Sequence, residues 1–476
     1  MALEDIDHIV VLMLENRSFD CMLGKLYPKS GSFEGLAGTE SNPDNTGAAI
    51  AAWNAPGGTD NAAMSIPAPD PGELYTDMNE QIFGSTEVPD PPDPTLSGFV
   101  TNYQRQTESP PYPAKNVMHH FTPDQLPVIS ELARQFAVCD HWHASAPCQT
   151  WPNRFFVHTA TANGYENNSP PHFPYEMDSI FNRLEAANRP WRVYFHDVPQ
   201  ALTLAKVWPL AGNFRFFAEF QQDAKGGTLP AYSFIEPRYF ADLALPNDQH
   251  PPHNVTLGEQ LIADVYNALR AGPNWHKTLL VITYDEHGGN FDHVAPPPAV
   301  PPGKEVTVPF NFDRYGVRVP AVIVSPFIEA GTIVRAPDGA TPFDHTSIIA
   351  TLRKRFDLGP PLTDRDGAAP DLSGLLTLAA PRGDCPASVE ALPYSPSPAD
   401  VATARAAPLN GHQRALTEFA AHLPPTVATG DFAPFIESWL DHLRSGAMGA
   451  EAASVQDVGA ALHLIKTRLG VLFRSL

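Results

Sequence analysis

The sequence predicts an α/β protein in three layers: a mostly parallel central sheet with helices on both faces. Two observations predict it. Short apolar runs recur that are continuous rather than alternating, the pattern of strands buried on both faces. Amphipathic helical stretches lie between several of these runs. The chain has 476 residues, 43% of them hydrophobic, enough for a large core. Its 51 prolines, about twice the usual share, predict long stiff loops around that core.

In chain order, the first strand candidate covers residues 9–14, inside "HIVVLMLENRSFD". Residues 40–113 are rich in Gly, Pro, Asp and Asn, with "VPDPPDP" at 88–94, and look like a loop insertion. "TPDQLPVISELARQFAVCD" puts Leu126, Ile129, Leu132, Ala133 and Phe136 on one helical face. Strand candidates follow at 191–195 and 231–235. The helix "NVTLGEQLIADVYNALRAG" has Leu257, Leu261, Val265 and Leu269 four apart, a polar start at Asn254 and a stop at Gly272. Further strands are expected at 279–284 and 319–324, separated by a second Pro-rich loop at 295–309. "HTSIIATLRKRFDLG" is a helix ending at Gly359. The expected organisation is one α/β domain over 1–380, a Pro-rich connector over 381–410 and a helical segment over 411–476 with three helices. Those helices either form a subdomain or pack on the core.

Charge narrows the partners. Lys and Arg total 31 against 53 Asp and Glu, a net charge of −22. A nucleic-acid partner needs a cationic footprint and is not expected. Anionic membranes are disfavoured, zwitterionic lipid is not, and any membrane contact should be peripheral. No run approaches the roughly 18 apolar residues of a membrane span. The first residues show no cleavable export signal, so the expectation is a cytoplasmic protein, or export by a route that reads no such peptide. Cys21, Cys139, Cys148 and Cys385 form no C-x-x-C pair; Cys139 and Cys148 either bridge or stay as thiols.

In open α/β sheets ligands sit outside the carboxyl ends of the strands. Here those ends are polar: Glu15-Asn16, His196-Asp197 and Asp285-Glu286 each follow an apolar run directly. As neighbours, they would gather carboxylates whose mutual repulsion raises their pKa values. One divalent cation would relieve this, and oxygen ligands suit Ca, Mg, Mn or Zn. The alternative is helix caps and solvated strand ends. "SAPCQTWPNRFF" offers Thr150 at the start of a helix, either a nucleophile or a simple N-cap.

Four motifs in order, "ENRSFD" at 15–20, "TWPNR" at 150–154, "TYDEHGGNFDHV" at 283–294 and "FDHTS" at 343–347, resemble the bacterial phosphoesterase family. That family holds phosphatidylcholine-type phospholipases C and acid phosphatase A enzymes, and the resemblance runs from residue 8 to about 360. It implies an alkaline phosphatase-like fold, with Glu15, Asn16, Thr150, Asp285 and Glu286 as metal ligands. It implies Thr150 as nucleophile, with His250 of "HPPH" and His345 of "DHTS" as active-site histidines. Asn16, Asn153, Arg154 and His196 are the candidate substrate-binding residues. One departure is local: Cys148 and Gln149 stand where the phospholipase pattern carries Gly and Pro.

The expected activity is metal-dependent hydrolysis of a phospholipid or small phosphate ester through a phosphothreonine intermediate. An acid phosphatase is the alternative, and a catalytically silent binding protein a second. A threonine in place of Cys or Ser argues against sulfatase chemistry. Trp142, Trp151, Phe155 and Phe156 would either cradle a choline head group or pack. Arg17 would pair with a carboxylate or with phosphate, and Phe19 belongs to the core.

Overall fold

The computed structural model describes residues 2–55, 57–106, 113–303, 310–426, 432–446 and 448–474. The end of the 40–113 loop and residues 304–309 of the second Pro-rich loop therefore lie outside the described residues.

Eight strands form the central sheet. They are β1 (His8–Leu14), β2 (Ala137–Cys139), β3 (Trp191–Phe195), β4 (Phe214–Phe216), β5 (Tyr232–Glu236), β6 (Thr278–Tyr284), β7 (Ala321–Val324) and β8 (Thr332–Val334). Their order is β8-β2-β7-β6-β1-β5-β3-β4. Only β7 opposes its neighbours; every other pairing in this sheet is parallel. A run buried on both faces looks the same in either direction, so the sequence could not distinguish β7. Strands β2, β4 and β8 have three residues each, too short to show a period.

The middle of the sheet is its most apolar part. Residues Ile9 to Leu14 of β1 and all seven of β6 are buried. These strands pair in parallel over their whole length, from His8 opposite Thr278 to Leu14 opposite Tyr284. That register matters for everything downstream: the first residues beyond the two strands, Glu15 and Asp285, must emerge side by side.

The helices around the sheet include α1 (Phe19–Leu23), α2 (Pro127–Gln135), α3 (Thr150–Thr159), α4 (Val255–Ala271) and α5 (Thr346–Phe356). Asn254 caps α4 by accepting the Thr256 N–H at 2.8 Å. Toward the C-terminus come α6 (Gly411–His422), α7 (Phe432–Ser445) and α8 (Val458–Arg474). They pack on the α/β core: Phe419 of α6 meets Phe173, and Phe473 of α8 stacks on Phe195. One apolar cluster runs from Leu3 to Leu472. All four cysteines are buried free thiols, so Cys139 and Cys148 do not bridge. No helix among the described residues is long and apolar enough to cross a membrane.

A buried cation ties the loops at the carboxyl edge together. Arg318, fully buried, donates to Asp292 Oδ1 at 2.9 Å, to Asp20 Oδ1 at 3.0 Å, and to the carbonyls of Glu34 and Asp140 at 2.8 Å. His293 adds a second cationic group, with Nδ1 2.6 Å from Asp20 Oδ2 and Nε2 3.0 Å from Glu34 Oε1; Lys29 also faces Glu34. Asp20, Asp292 and His293 have metal-like spacing, but Arg318 already supplies the counter-charge.

Removing that counter-charge should be costly, because two carboxylates and two carbonyls lose it together. Arg318→Met should lower unfolding free energy by about 3–5 kcal/mol in urea denaturation. His293 gives a pH signature. Burial opposes its charge, but Asp20 outweighs burial and lifts its pKa to about 8. Its contribution is thus complete below the unfolded histidine value, roughly 6.5, and lost as pH rises through 8. The fall in Tm between those values should be shallower in His293→Gln.

Candidate active site

The site is built on the paired ends of β1 and β6. The Asp285 N–H donates to the Leu14 carbonyl at 3.2 Å, and the Asn16 N–H donates to Asp285 Oδ1 at 2.9 Å. Asn16 takes a left-handed backbone, φ 54°, which an asparagine tolerates better than most residues. This turn brings the next glycine loop against it. Asn290 donates to the Asn16 carbonyl at 3.2 Å, and a Cβ on Gly288 would lie 2.2 Å from that same oxygen.

Thr150, the first residue of α3, enters this corner from the opposite side. Its Oγ1 is 3.2 Å from Glu15 Oε2 and 3.3 Å from Asn16 Oδ1. Asn16 is oriented by Glu73, whose Oε1 accepts from Nδ2 at 2.6 Å. The amide therefore offers its oxygen to the site. Glu15, Asn16, Thr150, Asp285 and Glu286 all have 0% exposure, so every one of these oxygens is withdrawn from bulk water.

Burial raises the pKa of Glu15, against the opposing charge of Arg154. Burial and then the charge of Glu15 push Asp285 up to about 8. Glu286 is raised well above the carboxylate range by burial, then by Glu73 and Asp285. Asp285 Oδ2 and Glu286 Oε1 are buried without a hydrogen-bond partner. Buried polar atoms normally find partners, and hard oxygen donors gathered this way fit a divalent cation. The five residues therefore suit the metal that the motifs imply. A flanking group, Asp70, Glu73 and His250, places ligand-type atoms within 4.8 Å of one another.

The structure redistributes several expected roles. Arg154 lies beneath the site: its Nε and Nη2 donate to Glu15 Oε1 at 3.0 and 2.5 Å, and Nη2 also donates to the Met13 carbonyl at 3.2 Å. It clamps a carboxylate rather than facing substrate. Asn153 is occupied by its own turn, donating to the carbonyls of Ala146, Cys148 and Gln149 and accepting from the Ala146 N–H. That network fixes the turn in which Cys148 and Gln149 replace Gly and Pro. His196 does not reach the site. It follows β3, which is separated from β1 by β5, and its ring stacks on Phe217 at 4.5 Å. Asp197 caps a loop by accepting the N–H groups of Val198, Tyr239 and Phe240. The carboxylate that does lie next to β1's end is Glu236, closing β5; it faces Arg154 at 3.5 Å and accepts from the Tyr239 hydroxyl at 2.8 Å.

The histidines divide as well. His345 is engaged at both nitrogens: Nε2 donates to the Asp285 carbonyl at 2.6 Å, and Nδ1 accepts from Trp142 Nε1 at 3.3 Å. Burial lowers its pKa to about 4. It props the metal-type carboxylate from behind. His250 has its Nδ1 2.6 Å from the Pro251 carbonyl, with Glu73 Oε1 3.4 Å from Nε2 and Asp70 Oδ1 3.6 Å from Nδ1. Burial would discharge it, but Asp70 and Glu73 outweigh burial and hold it well above the ordinary histidine value. A third histidine was missed. His412, on α6, has Nδ1 3.2 Å from Glu15 Oε2 and a buried, unpartnered Nε2. Burial lowers its pKa to about 3.

Arg17 pairs with neither carboxylate nor open space; it donates to the carbonyls of Gln249 at 2.8 Å and Ile66 at 2.6 Å. Phe19 is core. The aromatics flanking Thr150 are packing groups. Trp142, Trp151, Phe155 and Phe156 are all 0–1% exposed, against Phe343, Tyr175 and Phe312.

The glycine loop offers a specific test. Gly288→Ala should displace Asn16, lower activity by at least ~10²-fold and lower Tm, since both the contact and the positive φ of 60° oppose a side chain. Gly331→Ala, also at positive φ but with open space around it, is the control for backbone strain alone. Equal activity losses in the two would detach the site from the Gly288 contact.

The profile of the phosphoesterase family matches residues 6–359. The chain is 41% identical over 404 residues to non-specific phospholipase C3 of Arabidopsis thaliana, covering 81% of this chain and 76% of that protein. It is 28% identical over 436 residues to phospholipase C A of Mycobacterium tuberculosis (strain CDC 1551 / Oshkosh), covering 80% of this chain and 78% of that one. Among solved structures, a protein in the alkaline phosphatase superfamily from Vibrio parahaemolyticus overlaps 51% of this chain and 64% of its own, at 12% identity and a TM-score of 0.31. With residues of all four motifs meeting at the ends of β1 and β6 and the family profile spanning most of its length, this chain belongs to the phosphoesterase family.

Proposed function

We propose that the chain is a phospholipase C-like hydrolase of phosphoric esters that uses Thr150 as its nucleophile. The carrying observation is the Thr150 hydroxyl held 3.2 Å from Glu15 and 3.3 Å from Asn16, among buried carboxylates with unpartnered oxygens. The names of its relatives support the substrate class, and the intact acidic set argues against a silent binding protein.

Glu15, Asn16, Thr150, Asp285 and Glu286 would hold a divalent cation, which when bound lowers the pKa of a hydroxyl and offsets charge on phosphoryl oxygens. Thr150 Oγ1 passes its proton to Glu15 Oε2, 3.2 Å away, and attacks phosphorus in line, and the bond from phosphorus to the glycerol oxygen breaks. The leaving oxygen takes a proton, which we assign to His250, kept charged by Asp70 and Glu73. Diacylglycerol departs and the phosphoryl head group stays on Thr150. Water then gives a proton back to His250 and attacks phosphorus, the bond to Oγ1 breaks, and Oγ1 regains its proton from Glu15. Arg154 and His345 hold Glu15 and Asp285 in place. A monoester would follow the same steps, and the acid phosphatase reading differs in that an unsubstituted phosphoryl group, not one carrying a head group, stays on Thr150.

Thr150→Ala should reduce turnover of phosphatidylcholine by about three orders of magnitude or more, with Tm nearly unchanged. Retained turnover would remove Thr150 from the chemistry. Chelation should abolish activity, and Asp285→Asn should lower the bound divalent metal measured by elemental analysis. Turnover of p-nitrophenyl phosphate with none of phosphatidylcholine would favour the phosphatase.

A further inference from the structure

The chemistry assigned above leaves one large feature unused. A crevice of about 370 Å³ lies behind the site, lined by Leu245, Pro252, Leu257, Tyr394 and Pro408 among others. Its inner wall is the site's own scaffold. His253 lines it and has Nδ1 2.6 Å from Asp248 Oδ1, while the Asp248 carbonyl accepts the Glu15 N–H at 2.8 Å. Gln413 lines it too, next to His412, which touches Glu15.

Outward, Leu245, Leu257 and Tyr394 also line a second cavity of about 690 Å³. Phe216 and Leu243 line that outer cavity and are 60% and 92% exposed, the two most exposed large hydrophobic side chains among the described residues. Exposed apolar groups beside a cavity mark interaction surfaces. The nearby charges are of both signs: Arg238 and Asp264 line the cavity, and Lys466 pairs with Asp242 at 2.5 Å. A chain of net charge −22 is not drawn to an anionic surface.

We propose that this rim docks the protein on a zwitterionic lipid surface, Leu243 and Phe216 entering the acyl layer and the crevice behind them receiving an acyl chain. The inference rests on the phospholipase reading of the site and extends it. A phospholipid must keep its chains out of water while its phosphate is near the site, and the crevice lies against His253 and Gln413, whose neighbours Asp248 and His412 touch Glu15. Apolar insertion then supplies the attraction that charge does not.

The test uses the full chain and the variants Leu243→Glu and Phe216→Ser, neither of which touches the catalytic groups. The probes are phosphatidylcholine vesicles and a short-chain phosphatidylcholine kept below its micelle concentration. Each variant should bind sedimented vesicles, and turn them over, roughly 10-fold or more weakly than wild type. Turnover of the soluble lipid should be unchanged. Wild-type vesicle binding by both variants would overturn the proposal, as would equal losses on vesicles and soluble lipid. Should wild type cleave neither lipid, the phospholipase reading falls, yet vesicle binding still decides the rim. Binding that the variants lose upholds it; no binding by wild type, or binding the variants keep, overturns it.

Discussion

The structure depends on one register. Because β1 and β6 pair in parallel with Leu14 opposite Tyr284, Glu15 and Asp285 leave the sheet as neighbours. Two buried carboxylates side by side are unstable unless something answers their charge. Arg154 answers part of it, paired with Glu15 and 3.9 Å from Asp285 Oδ2, while Asp285 Oδ2 and Glu286 Oε1 accept no hydrogen bond. The fold therefore gathers buried carboxyl groups at one point of its sheet edge, and Thr150 is delivered to that point by the start of α3.

Around this centre, residues divide by whether they face the reacting atoms or hold those that do. Arg154, His345 and Asn153 spend their hydrogen bonds on Glu15, the Asp285 carbonyl and the 146–149 turn. Arg318 does the same one layer out, tying α1, which carries Asp20, to the loop that carries Asp292. His250 stands apart, as its polar neighbours are Asp70 and Glu73 from the long insertion. The insertion thus contributes to the site itself. So does α6, whose His412 reaches Glu15 from beyond the stretch matched by the family profile.

The middle of the sheet was legible because continuous apolar runs have few other solutions, and the polar residues ending two of them located Glu15, Asn16, Asp285 and Glu286. The same rule misled at His196. It identifies strand ends but not strand order, and β5 intervenes. Applied to the run at 231–235, it would have found Glu236. Asp70, Glu73 and His412 were not legible: they come from a loop and a helix face, and only the fold brings them near β1. The aromatics around Thr150 left two readings open in the sequence, a head-group pocket or packing, and the structure has packing.

The central claim is that the Thr150 oxygen becomes covalently bonded to phosphorus. The direct measurement is rapid acid quenching of the enzyme during turnover of phosphatidylcholine, followed by digestion and mass spectrometry of the peptide containing Thr150. The account predicts a phosphocholine adduct on Thr150 that forms and decays within turnover and is absent from Thr150→Ala. Turnover at full rate with no adduct at any time, or an adduct on another residue, would contradict it.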